Sequence, residues 1–252
     1  MLETYTIGSD TTQPPVLIAH GLFGSARNWG VIAKRLSDLG RVVTVDMRNH
    51  GQSPWDDSNT YSDMAADLAE VIEAQGAPMD VVGHSMGGKA AMMLAVTRPD
   101  LLRRLIVADI APVAYSHSQS HLIEAMRKID LAEVTTRGDA DRQLEPHVPE
   151  AGVRAFLLQS LDVKAKAWRL NHDVLERFMD DIVGWPDGVT GQFEGPTLFL
   201  SGASSDYVLP DHRPLIKALF PQARFAKIPQ AGHWLHADKP REFEASLRAF
   251  FS

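Results

Sequence analysis

The sequence predicts an α/β protein: a mostly parallel central sheet flanked by helices, with an inserted helical segment. Three observations carry this. Short apolar runs alternate with amphipathic stretches, the pattern of parallel strands buried on both faces. One run, Met79-Asp80-Val81-Val82, passes straight into Gly83-His84-Ser85-Met86-Gly87, a G-x-S-x-G turn that lifts a serine between a strand and a helix. The alternation then stops between Val113 and Glu194, where no apolar strand run occurs.

The elements follow in order. Leu2 to Ile7 alternates and reads as an edge strand. Val16 to His20 is a buried strand running into Gly21-Leu22-Phe23-Gly24-Ser25, where two glycines suggest a close backbone approach. Ala26 to Leu39 has helical spacing, with Trp29, Ile32, Ala33, Leu36 and Leu39 on one side. Arg41 to Asp46 is the next strand, followed by the turn-rich Met47 to Pro54. Tyr61 to Gln75 is a helix capped at Thr60 or Ser62 and closed by Gly76. The serine strand covers Met79 to Val82, its helix runs from Ser85 to about Arg98, and Pro99 stops it. Leu105 to Ile110 is a further strand.

Within the insertion, Leu122 to Leu131, Gly152 to Leu161 and Asp173 to Val183 read as amphipathic helices. The sheet resumes at Pro196 to Ser201, then a helix at Asp211 to Phe220, a last strand at Ala223 to Ile228 and a final helix from Pro240 to Phe251. The expected organisation is one core, 1–112 and 195–252, with a helical cap at 113–194.

A chain of 252 residues, 44% hydrophobic and 23% charged, fits a single globular core of this class. The net charge of -7 argues against a general nucleic-acid surface. With no cysteine, disulfides, thiolate metal sites and a cysteine nucleophile are excluded. Met1 to Ile7 lacks a basic region followed by an apolar stretch, and no run approaches a membrane span, so a cytoplasmic protein is expected. The sequence leaves the oligomeric state open.

In parallel sheets, reactive groups gather at the carboxyl ends of strands. Ser85, Asp109, Ser205, Asp206 and His233 all fall at such ends. A serine hydroxyl needs an adjacent base, and histidine has the suitable pKa. His233 follows the last strand behind Gly232, in the order serine, acid, histidine. His233 and His236 lack the carboxylate pattern of a zinc helix, and Gly24-Ser25 lacks phosphate-loop spacing. No metal or cofactor is expected. Arg48, Asn49 and His50 are expected to brace their loop, His84 to pack beside the serine turn, and Lys89 to be structural.

Together, His20-Gly21-Leu22-Phe23-Gly24, Gly83 to Gly88 and Gly232-His233 resemble the α/β-hydrolase superfamily across essentially the whole chain. Asp46 to Ser53, Gly83 to Lys89 and Asp109-Ile110-Ala111-Pro112 are similar to a narrower group. That group is the small bacterial carboxylesterases related to a mitochondrial hydrolase of animals. The resemblance implies that Ser85 attacks an ester carbonyl and that His233 moves the proton. It also implies an oxyanion hole from the N–H of Met86 with that of Phe23 or Leu22: Phe23 is favoured as the side chain closer to the acyl group, and either N–H is open as the donor.

The usual acid slot, three residues beyond Gly202, holds Ser205, with Asp206 one residue late. The subgroup takes its acid from the preceding strand end, here Asp109, which would make Ser205 a fourth member. Asp109 is therefore preferred, with Asp206 as the alternative.

The expected function is a serine carboxylesterase or thioesterase acting through an acyl-enzyme on short to medium acyl groups. Its partner would be a small-molecule ester or thioester. The alternatives are a carbon–carbon hydrolase, lyase or perhydrolase on the same residues, and a non-catalytic small-molecule receptor.

Overall fold

The apolar runs form strands because their side chains alternate between two helix-covered faces, and each face has its own core. A computed structural model describes residues 1–252. Its first half holds β1 (Thr4–Ile7), β2 (Val16–Ala19), a 3-10 turn at Ala26–Trp29, α1 (Gly30–Leu36), β3 (Val42–Val45), α2 (Tyr61–Gln75), β4 (Met79–His84), α3 (Met86–Thr97) and β5 (Leu102–Ala108). The insertion follows, with α4 (Ser120–Arg127), α5 (Arg137–Leu144), α6 (Ala151–Leu157), the short β6 (Leu161–Asp162) and β7 (Ala167–Trp168), α7 (His172–Arg177) and α8 (Met179–Val183). The sheet then resumes with β8 (Thr197–Gly202), α9 (Arg213–Leu219), β9 (Ala223–Ile228), α10 (Leu235–Asp238) and α11 (Pro240–Phe251).

Seven strands form one sheet in the order β1-β3-β2-β4-β5-β8-β9. Only β1 pairs antiparallel, with β3; the other pairs are parallel. One face carries Ile18, Val82, Ile106 and Leu200 against Trp29 of the 3-10 turn, Ile32 and Leu36 of α1, and Phe243 and Leu247 of α11. The opposite face carries Leu17, Val81, Leu105 and Phe199 in a core shared with Met64, Leu68 and Ile72 of α2 and Leu94 of α3. The strand order reverses at β2, between β3 and β4, and a crevice opens at the carboxyl ends beside such a point. No helix is long and apolar enough to cross a membrane.

α2, β9 and α11 have the expected limits. Elsewhere the differences are local. The first residues of the helix expected from Ala26 wind as a 3-10 turn, a common opening for a helix. Thr60, not Ser62, caps α2: its hydroxyl accepts the Asp63 N–H. The helix expected over Asp173 to Val183 breaks at Phe178 (φ -99°, ψ 15°), giving α7 and α8. β5 starts at Leu102 and ends at Ala108, which leaves Asp109 just beyond the strand at φ 52°. Between 113 and 194 the structure adds α5 and the β6–β7 hairpin to the expected helices.

Two glycines let α3 sit down on the sheet. A Cβ on Gly83 would lie 2.4 Å from the Gly87 carbonyl oxygen, and one on Gly87 would lie 2.4 Å from that of His20. Gly87→Ala should therefore push α3 off β2 and cost about 1 to 3 kcal/mol. Gly30 opens α1 with nothing within 4 Å of its Cβ position, so Gly30→Ala should be neutral or add up to about 1 kcal/mol. Urea unfolding of the two variants checks the contrast.

Candidate active site

Ser85 sits between β4 and α3 at φ 51° and ψ -120°, a strained backbone that the flanking glycine contacts hold in place. Its hydroxyl lies 3.1 Å from His233 Nε2. On the other side of the ring, His233 Nδ1–H donates to Asp109 Oδ2 at 2.8 Å. Asp109 is fully buried and accepts two further hydrogen bonds, from the Gly202 N–H at 3.0 Å and from the Ser205 hydroxyl at 2.5 Å. Asp206 is exposed and makes no such contact. The one-residue offset seen in the sequence thus turns it outward, while Ser205 reaches the Asp109 carboxylate.

His84 donates from Nε2 to the backbone carbonyl of His233 at 2.9 Å, so it holds the chain behind that imidazole. Tyr207 stacks on the His233 ring, with centroids 4.1 Å apart and planes 21° from parallel. In the sequence Tyr207 is simply the residue after Asp206. No periodicity marks it, and only the turn through Ser205 brings its ring over the imidazole.

The loop after β2 is pinned by two buried histidines. His20 Nδ1–H donates to the Gly21 carbonyl at 2.8 Å, and its Nε2 accepts the Met47 N–H at 2.9 Å. His50 Nδ1–H donates to the Arg48 carbonyl at 2.8 Å, and its Nε2 accepts the Phe23 N–H at 3.2 Å. Phe23 is also held at its carbonyl by the Ser160 hydroxyl at 2.9 Å and takes φ 63°. The Phe23 N–H is therefore committed to His50. Of the two amides the sequence could not separate, Leu22 is the one whose N–H has no protein acceptor. Met86 opens α3, so its N–H has no acceptor within the helix.

The bracing expected of the next loop is present. Arg48 grips Asp67 with bonds of 2.6 and 2.9 Å. Asn49 bonds to Ser58 and Asn59 and accepts from Asn171, at the start of α7.

Ser85, His233, Leu22 and Met86 line one cavity of about 340 Å³. Its far wall comes from the insertion, including Val153, Phe156, Ile182 and Val183. A hydroxyl within reach of an imidazole, whose other nitrogen faces a buried carboxylate, can be activated as a nucleophile. The N–H groups of Leu22 and Met86, without a protein acceptor and on residues lining the same cavity, are of the kind that can stabilise an oxyanion.

The model of the alpha/beta hydrolase fold family matches residues 14–240, and the chain belongs to that family. Within it the chain is a hydrolytic enzyme of the esterase and lipase type, as its relatives show. The sn-1-specific diacylglycerol lipase ABHD11 of Mus musculus is 42% identical over 258 residues, spanning 98% of this chain and 83% of that protein. Esterase YbfF of Escherichia coli (strain K12) is 39% identical over 251 residues, spanning 98% of this chain and 96% of that one. The solved structure of a marine microorganism esterase superposes with a TM-score of 0.93 at 38% identity, covering 99% of this chain and all of that one.

The buried histidines around the site have a thermodynamic consequence. Burial lowers the pKa of His20 to about 4, of His50 to about 3 and of His236 to about 3, from 6.5. Unfolded, each takes a proton near its ordinary pKa; folded, each stays neutral until far lower pH. The unfolded state then binds more protons across this window, so stability falls as pH drops from about 6.5 toward 4. His236→Phe keeps a ring stacked on Trp29, where the native centroids lie 4.2 Å apart. It should remove about one proton from the slope of unfolding free energy against pH, measured in urea between pH 7 and 4.5. An unchanged slope contradicts a neutral His236.

Proposed function

We propose that the enzyme cleaves carboxylic esters of short to medium acyl groups through a covalent acyl-enzyme. The observation that carries this is the line Ser85–His233–Asp109, with contacts of 3.1 and 2.8 Å. Ser85 Oγ attacks the acyl carbonyl carbon as its proton passes to His233 Nε2. The carbonyl oxygen becomes an oxyanion that accepts from the N–H groups of Leu22 and Met86. Such a donor is worth roughly 3 to 4 kcal/mol in the transition state.

Collapse of the intermediate breaks the ester C–O bond, and His233 gives its proton to the departing alcohol. Water then attacks the acyl-serine with His233 again as base, releasing the acid and restoring Ser85. Throughout, Asp109 holds His233 in the Nδ1–H tautomer and stabilises the imidazolium. Ser205, as a fourth member, keeps the Asp109 carboxylate aligned.

The segment 113–194 forms the cap that limits acyl length, supported by the side chains it contributes to the cavity. The cavity of about 340 Å³, with Val153, Phe156, Ile182 and Val183 in its lining, supports an aliphatic acyl chain of modest length, and a thioester would pass through the same steps with a thiol as the leaving group. Acylglycerols join the candidate substrates, because the mouse relative is named for one.

Ser85→Ala should abolish hydrolysis of p-nitrophenyl esters, and a fluorophosphonate probe should label the wild type at Ser85. Substantial turnover by the alanine variant sinks the reading. Asp109→Asn should lower kcat by about a thousandfold or more, as a tautomer error does, and Asp206→Asn should have far less effect. The reverse order would make Asp206 the acid. Phe156→Ala should move the optimum of an ester series toward longer acyl chains, while the acetate ester changes least.

A further inference from the structure

We infer that Lys89 forms an anion subsite in the acyl pocket, so that the enzyme takes acyl groups ending in a free carboxylate, such as half-esters of short dicarboxylic acids. This rests on the esterase reading above and names its substrate class.

Lys89 lies four residues beyond Ser85 on α3, about 6 Å further along the axis and on the same helix face. It lines the same cavity as Ser85, together with Tyr61, Tyr115, Ile182 and Val183. The sequence suggested only a structural lysine. The structure shows its side chain buried to 1% exposure with Nζ donating to the carbonyls of Val183, at 2.9 Å, and Gly184. The rings of Tyr115 and Tyr61 flank it, with centroids 4.8 and 5.7 Å from Nζ.

All of these neighbours are uncharged. No carboxylate lies within ion-pair distance of Lys89, whereas Arg154, the other buried cation, meets Asp141 at 2.8 Å. Burial alone pushes the Lys89 pKa down to about 7, and no acid opposes that shift.

Fastening the end of α8 to the core does not require a charge. Tyr61 does the same work next door, donating its hydroxyl to the Ile182 carbonyl at 2.6 Å. Nor does the tether use up the ammonium, which carries three N–H donors for two carbonyls. What remains is an amino group on a residue lining the pocket, with one donor to spare and no counter-ion, and a carboxylate bound beside it favours its charged form. A substrate carboxylate supplies both the missing charge and the missing acceptor. A net charge of -7 repels anions from the molecule as a whole, so any preference for one must come from a local cation.

The test compares monoethyl glutarate with ethyl pentanoate, two ethyl esters of equal acyl length, by chromatographic product release. In the wild type, kcat/KM for the half-ester should equal or exceed that for the neutral ester. Lys89→Met, similar in shape but uncharged, should lower that ratio by about tenfold or more. Calorimetry adds an arm free of turnover: in a Ser85→Ala background, monoethyl glutarate should bind at least about tenfold more weakly once Lys89 is Met. A wild-type ratio below one, or a ratio and affinity that Lys89→Met leaves unchanged, overturns the subsite. Hydrolysis of neither ester would instead refute the esterase reading, and the calorimetric arm would still decide on Lys89.

Discussion

The reversal of the chain at Ser85 is the constraint on which the rest depends. A residue at φ 51° and ψ -120° does not hold that conformation unaided. It is held because α3 rests its first turn on the backbone of β2 and β4, at positions where a Cβ would overlap carbonyl oxygens. The same close approach brings the loop after β2 against the turn: a Cβ on Gly21 would lie 2.9 Å from His84 Nδ1 and 3.1 Å from Ser85 Cβ. The serine turn and the loop carrying Leu22 are therefore locked to each other, and neither can shift alone.

Around that contact the molecule uses neutral imidazoles as rigid brackets. His20, His50 and His84 each donate from one ring nitrogen to a backbone carbonyl. In His20 and His50 the other nitrogen accepts a backbone N–H, which a charged ring could not do. Burial is what keeps them uncharged, so the packing that stabilises the core also fixes the tautomers that aim the loops. His233 is the partly exposed imidazole of this group, opening to the cavity with its ring stacked on Tyr207.

Legibility in the sequence followed how local each signal was. Val16 to Ala19 and Val42 to Val45 declare themselves as strands because both faces are buried and every residue is apolar or β-branched. Ser85 and His233 could be singled out because a strand end or a flanking glycine marks each. α5 was not legible: it buries only Ala140 and Leu144, and its Thr136–Asp139 capping box lacks an apolar stripe behind it. The β6–β7 hairpin has two residues per strand, too few for a period to show. Leu22 and Phe23 were inseparable because the answer lies in His50, 27 positions from Phe23. Tyr207 and Lys89 were likewise hidden, since the contacts that give each its place come from segments remote in sequence.

One consequence lies in where the insertion is spliced. It leaves the sheet after β5 and returns at β8, and these two strands are hydrogen-bonded neighbours, with Leu105 opposite Thr197. Neighbouring strands stand about 4.8 Å apart whatever the chain between them does. Closing that gap costs an entropy that grows only with the logarithm of loop length, roughly 0.6 kcal/mol for each doubling. The segment can thus lengthen, shorten or be exchanged for another over evolutionary time at little expense to the sheet. The residues this segment contributes to the cavity can then change on a scaffold that does not have to be refolded to accept them.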